Sequence, residues 1–241
     1  MSSTYEVLKA APICFWDFSH GLTAQGKVPY KLEQSGISIP CINDGVFGQN
    51  CLEMAEGRFL KIPRSECSLL DFSSERSQLT MIAWIKRSDK RIHECQAIAG
   101  MWNETDSKRQ YCLFLDLHIW ESSNQVGGHI SSTGGPTEGY RYCMDAAIGA
   151  TPVSMNEWHM IGFAYDGKSA SVYLDGKLDH RGTRNPYDYG HSLFMPGEDG
   201  ADFTVGGVYR KGTMGNWFCG LLGGLAVYDY PLAEKDMLAL A

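Results

Sequence analysis

The sequence predicts an all-β chain: a two-sheet antiparallel sandwich closed by one short C-terminal helix. Three observations carry this reading. Helical periodicity is almost absent before residue 232, and short apolar runs alternate with turn signals instead. Asp-Gly occurs twice within FAYDGKSASVYLDGKLDH (163–180), and both residues of that dipeptide tolerate the positive φ of a tight hairpin. The 241 residues include 27 glycines and 12% aromatics, which suits many strands joined by tight turns.

The elements follow in chain order. ICFWDF (13–18) opens as a strand, and CLEMAEGRFLKIP (51–63) reads as a hairpin turning at Glu56-Gly57. LTMIAWIKR (79–87) is apolar on both parities, the pattern of a strand buried on both faces. QAIAGMW, QYCLFLDLHIW and VGGHIS continue the series. The stretch 163–180 then supplies three antiparallel strands, reversing at Asp166-Gly167 and at Asp175-Gly176. DFTVGGVY (202–209) and FCGLLGGLAVYD (218–229) give the last strands, and LAEKDMLALA (232–241) has helical spacing with acids early. No linker, repeat or low-complexity tract divides the chain, so residues 1–241 are expected to form one domain.

Composition narrows the possible partners. Hydrophobic residues at 44% provide a core, and charged residues at 20% argue against disorder. A net charge of -7 without a basic stripe argues against nucleic acid as a partner. KRSDKR (86–91) is the densest basic stretch, and its Asp makes it read as a solvated turn. No apolar run approaches membrane-spanning length, so no membrane partner is expected. MSSTYEVLKAAPICFWDF carries no secretory signal, which leaves a cytoplasmic protein or one secreted after removal of a leader. The eight cysteines contain no Cys-x-x-Cys pair, and a chain this size folds without staples, so they read as reduced thiols. Oligomeric state is not legible.

The order of several segments resembles the laminin-G-like, concanavalin A-like lectin/glucanase superfamily. The segments are FWDFSHG, GVFGQNCLEM, LTMIAWIKRSD, EWHMIGFAYDG, VYLDGK, FTVGG and GLLGGLAVYDYPLAEKDM, which together span nearly the whole chain. That resemblance implies a jelly roll of two antiparallel sheets, one concave, with loops at one rim commonly used to bind carbohydrate. One departure stands out. Members often carry Gly-x-Ile-Asp-Glu-Val in the closing strand, where an acid helps hold structural calcium, whereas this chain has GLLGGL (220–225). No cofactor is therefore expected, and a structural calcium rests only on Asp17, with Asp199 and Asp202 as weak further ligand candidates.

Familiar catalytic patterns are missing. There is no Gly-x-Ser-x-Gly elbow, no His-Glu-x-x-His helix and no Glu-x-Asp-x-Glu strand of the kind that flanks a glycosidic bond. What remains unusual lies in four loop-rich insertions. The first, 101–111, offers Trp102, Glu104, Arg109 and Tyr111, though the same residues suit a hairpin with a solvated ion pair. The second, 127–147, holds His129, Tyr140 and Tyr142 in glycine-rich sequence too long for a simple turn. The third, 180–194, holds Arg184, Asn185, Tyr187 and Asp188, and the fourth, 195–203, is acidic.

Sugars present flat apolar faces edged by hydroxyls, and a site for them wants rings beside fixed polar groups. The insertions supply that mixture, so carbohydrate binding through rim loops is the leading expectation. Arg109 and Arg184 would additionally suit a carboxylated sugar. The alternative is a polysaccharide-degrading enzyme, a glycoside hydrolase or a uronate lyase; in the lyase Arg109 or Arg184 would neutralise the carboxylate, with His129 and Tyr140 or Tyr142 as base and acid. A protein–protein adhesion module is the lesser alternative and requires an exposed apolar patch.

Overall fold

The computed structural model describes residues 12–74, 77–90 and 94–241. Its first strands are β1 (Cys14–Trp16), β2 (Glu33–Gly36), β3 (Cys41–Ile42), β4 (Cys51–Met54) and β5 (Arg58–Ile62). Next come β6 (Leu79–Arg87), β7 (Gln96–Asn103), β8 (Lys108–Leu115), β9 (Val126–Ile130) and β10 (Ala146–Ile148). They are followed by β11 (Trp158–Tyr165), β12 (Ser169–Leu174), β13 (Lys177–Leu178) and β14 (Tyr187–Asp188). The last are β15 (Phe203–Val205), β16 (Val208–Arg210), β17 (Thr213–Gly215) and β18 (Gly220–Tyr228), and α1 (Glu234–Leu240) closes the chain.

These strands form two nine-stranded sheets. The first runs β13-β12-β11-β6-β18-β4-β3, with β1 on β18 and β14 on β12. The second runs β10-β9-β8-β7-β15-β5-β2, with the β16–β17 hairpin beside β7. Between them lies the main core, where Trp16, Met81, Met101, Tyr111, Phe163 and Phe203 meet. β6 occupies the middle of the first sheet and is buried along nearly its whole length. One parity faces that core. The other, through Ile82 and Trp84, packs under α1 and the Val46-Phe47 loop.

The two Asp-Gly reversals join β11 to β12 and β12 to β13, each an antiparallel pair, with Gly167 at φ 90 and Gly176 at φ 78. Glu56-Gly57 does turn, with Gly57 at φ 80, but its flanking strands are not a hairpin. β4 pairs with β18 and β5 pairs with β15, so the chain crosses there from one sheet to the other. A second expectation also changes. Arg87 and Lys90 of KRSDKR are 2% and 6% exposed, so that stretch is not a solvated turn; Arg91, like His93, lies outside the described residues. Lys90 Nζ donates to the Cys95 carbonyl at 3.3 Å, and burial lowers its pKa. All eight cysteines are free thiols, and burial raises those of Cys14 and Cys112 well above the usual range.

Candidate functional site

Strand registers place one row of residues straight across the second sheet. Lys61 of β5 pairs with Thr204 of β15, Thr204 with Gly100 of β7, and Gly100 with Cys112 of β8. Cys112 then pairs with His129 of β9, and His129 with Ala146 of β10. Lateral partners share a face, and the neighbouring parity (Leu60, Phe203, Met101, Leu113, Ile130) fills the core. The row therefore marks the outer face of this sheet.

Half of that face is covered. Leu117, Cys143 and Val208 close over Trp102, Phe114 and Ile148 and make a small second core. The Trp102 side chain is 2% exposed overall; its Nε1 donates to Glu104 Oε1 at 3.3 Å, and Asn216 Nδ2 donates to the same oxygen at 3.3 Å. His129 sits 4.9 Å from the Trp102 ring and 5.4 Å from Phe114, with Nδ1 donating to the Asp145 carbonyl at 3.0 Å. Burial pushes its pKa down to about 4, so the imidazole is neutral near pH 7.

The other half is an open furrow of about 490 Å³. Phe59 and Lys61 of β5, Thr204 of β15, and Trp102 and Asn103 of β7 lie along it. Asp106 and Lys108 also line it, as do Tyr209 and Met214 of the β16–β17 hairpin. Asp202 completes it, held by the Arg64 amide at 2.9 Å. The Tyr209 ring is 44% exposed. Lys61 and Lys108 form no ion pair among the described residues. Thr204 also lines the furrow, and its hydroxyl, without accessible surface, has no hydrogen-bond partner among the described residues, a costly arrangement. A larger cavity of about 550 Å³ opens beside β4 and β18 of the first sheet, but no aromatic ring among the described residues lines it.

The residues singled out from sequence scatter. Tyr111 points into the main core, where its hydroxyl donates to the Leu70 carbonyl at 2.7 Å; it is not a rim residue. Asn185 is fully buried and holds the Val172 backbone and the Asp179 carbonyl, so it too leaves the list. Arg109, 6% exposed, donates Nη1 to the Gly134 carbonyl and Nη2 to the Glu104 carbonyl, a latch between loops rather than a free fork.

The long loops were expected to stand open, and two of them close on each other instead. The Tyr187 hydroxyl donates to Asp145 Oδ1 at 2.8 Å, and the Ser132 amide donates to the Tyr189 hydroxyl at 2.7 Å. Asp188 accepts from the Ser169 hydroxyl at the β12 edge. Tyr140 and Tyr142 are half exposed, the former edge-on to Trp120 and the latter beside Arg141. Among the described residues no hydrogen bond joins His129 to either tyrosine, whereas Arg109 lies near His129, both packing on the Trp102 ring. The metal candidates do not converge. Asp17 accepts from the Ser19 and His20 amides, from His20 Nδ1 and from Gln25 Nε2. Asp199 lies in the 197–199 turn, and no three metal-ligating side chains gather among the described residues.

Sequence reasoning passed over Phe59, Lys61, Thr204 and Tyr209. A signal existed for two of them: in RFLKI the strand period of two sets Phe59 and Lys61 on one face, opposite Leu60 and Ile62.

Residues 64–237 match a family model described as the concanavalin A-like lectin/glucanases superfamily. No curated protein matches the chain in sequence. Among solved structures, domain 4 of AbnA, a GH43 extracellular arabinanase from Geobacillus stearothermophilus in complex with arabinotriose, superposes at TM-score 0.66. That match has 14% identity and covers 96% of this chain and 98% of the other. The CBM40 of a Ruminococcus gnavus IT-sialidase, bound in one structure to alpha2,3 sialyllactose, matches at TM-score 0.58 and 18% identity, covering 79% of this chain and 95% of the other. A botulinum neurotoxin serotype D ligand binding domain in complex with N-acetylneuraminic acid matches at TM-score 0.60 and 10% identity, covering 98% of this chain and 52% of that one. These likenesses show the fold.

Proposed function

We propose that this chain, which belongs to the concanavalin A-like lectin/glucanase superfamily, binds an oligo- or polysaccharide in the furrow on the outer face of its second sheet. The observation that carries this is the furrow's lining, in which Phe59, Trp102 and Tyr209 stand beside Lys61, Asn103, Asp106 and Lys108. Phe59 and the exposed Tyr209 ring supply apolar platforms for a sugar face. Lys61, Lys108, Asn103 and Asp106 supply donors and acceptors for its edge, and Trp102 also lines the furrow. Neighbours with arabinotriose and sialyllactose bound lend support, since they share the scaffold.

The test is a polysaccharide and glycan-array screen of the whole chain, repeated with Tyr209→Ala. The reading expects retention of at least one saccharide class and a loss of about tenfold or more in affinity for the variant. No retention across neutral and acidic glycans, or retention that Tyr209→Ala leaves unchanged, would overturn it. No observation favours the catalytic alternative: among the described residues no hydrogen bond joins His129 to Tyr140 or Tyr142, and its Nδ1 is taken by the Asp145 carbonyl.

A further inference from the structure

We propose a second binding point on the same outer face, built by Trp120 and Arg184, that takes the carboxylate of an acidic sugar. It rests on the carbohydrate reading but uses no residue of the furrow. Four non-glycine residues within six positions, Asp116, His118, Trp120 and Glu121, are left-handed, with φ of 58, 54, 53 and 57. Such backbone is unfavourable for side-chain-bearing residues and persists only where the surroundings enforce it.

The surroundings enforce it from three sides. Beneath the loop, Asp116 accepts from buried Arg87 Nη2 at 2.9 Å and from Gln96 Nε2 at 2.5 Å. From the 180–194 segment, Arg181 Nη2 donates to the carbonyls of Trp120 and Glu121 at 2.9 and 3.2 Å. Trp120 Nε1 donates to the Met144 carbonyl at 3.0 Å, which fixes the indole plane. The outcome of this strain is a presented ring.

Over that ring lies a cation with nothing to hold. The Arg184 guanidinium carbon stands 3.7 Å from the Trp120 centroid, a stacked cation–π geometry. Its N–H donors make no hydrogen bond or ion pair to any described residue. Arg181 Nη1 is also buried without a partner, and no carboxylate pairs with either arginine among the described residues. Tyr140, half exposed, meets the indole edge-on at 5.8 Å and gives the apolar side of the site. A flat guanidinium, held still with its fork free, matches a carboxylate bidentately. The ligand engages the guanidinium edge, because the indole face is already occupied.

The two sites share a face but not a place. Trp120 joins the covered half near β10, whereas Thr204 lies on β15, four strand spacings or about 19 Å away. A chain of several sugars would reach both.

The experiment measures affinity of the whole chain for trigalacturonate, triglucuronate and α2,3-sialyllactose, each beside its methyl ester. Esterification removes the charge and keeps the ring. The expected result is that at least one acid binds about tenfold tighter than its ester. Arg184→Met should erase that preference, and Arg184→Lys should restore only part of it, because an ammonium lacks the fork. Equal binding of all acids and esters would overturn the proposal. So would a preference that survives Arg184→Met and disappears instead in Lys61→Met or Lys108→Met. In either case undiminished retention of neutral glycans leaves the furrow reading standing, whereas no retention of any saccharide removes both.

Discussion

The Trp102 indole and the His129 imidazole pack in a tilted pair, centroids 4.9 Å apart and planes 32° apart, under the covered half of the outer sheet face. Desolvation there is the main cause of His129's pKa of about 4, with the Arg109 charge acting in the same direction and the Asp145 contacts opposing it. The unfolded chain releases its proton near the ordinary value of about 6.5. Between those two values the unfolded state holds a proton the folded state lacks, so folding stability falls as pH drops from about 6.5 towards 4. Above pH 6.5 the effect vanishes. The full difference is on the order of 3 kcal/mol. Denaturant midpoints at pH 4.5 and pH 7 should show a markedly smaller acid loss in His129→Gln than in the wild type. Equal losses would mean the imidazole is accessible to protons in the folded state.

Thr204 allows stability and binding to be separated. Its hydroxyl is buried and unpaired, so Thr204→Val removes a desolvation cost and keeps the shape. The variant should gain about 1 kcal/mol in chemical denaturation and leave saccharide affinity within about twofold, because the hydroxyl exposes no surface to a ligand. Loss of stability, or a tenfold drop in affinity, would show that the hydroxyl has a partner in solution.

Much of the scaffold was readable because it is written locally. The Asp166-Gly167 and Asp175-Gly176 reversals need positive φ, and Asp175 at φ 49 and Gly176 at φ 78 adopt it. β6 was legible because both of its faces are apolar. The partners of β4 and β5 were not, since Gly57 makes the same turn whether the strands pair or part company. The site was harder still. Trp102 announces a ring but not its burial, which depends on Val208 and Leu117 arriving from other segments. Lys61, Thr204 and Tyr209 come from β5, β15 and β16, and each alone looks like an ordinary polar position on a strand. Only register brings them together.

The Arg87–Asp116 pair should be the most sensitive point of the 116–121 loop. Arg87 is 2% exposed and its guanidinium also donates to the Asn124 and Val153 carbonyls, so it cannot retreat to water. Asp116→Ala leaves that charge buried without a counter-ion, a loss of about 3–5 kcal/mol. Asp116→Asn keeps an acceptor and a residue that tolerates φ 58, and should cost less. A cost below about 1 kcal/mol for the alanine variant in urea denaturation would show that the pair is not what anchors the loop.

The glycines of the closing strand stand where the sequence resemblance led to an expectation of acids, and the packing around them can be tested by introducing one. Gly224 is buried in β18, and a Cβ there would stand 2.7 Å from Phe47 Cε2 and 3.1 Å from Trp84 Cε3. At Gly223 a Cβ would meet Val46 Cγ2 at 2.8 Å and Trp158 Cη2 at 2.9 Å. Phe47 and Trp84 pack edge to face at 4.7 Å, so neither ring can swing away without undoing the other. Aromatic packing has thus taken the space an acid would need. Gly224→Asp adds overpacking of about 1–3 kcal/mol to the burial of an unpaired carboxylate, and should destabilise the chain whether calcium or a chelator is present. Thermal unfolding in both conditions decides it. A variant that calcium restores to wild-type stability would mean that oxygen ligands already converge beside β18 and that the glycines alone had kept the ion out.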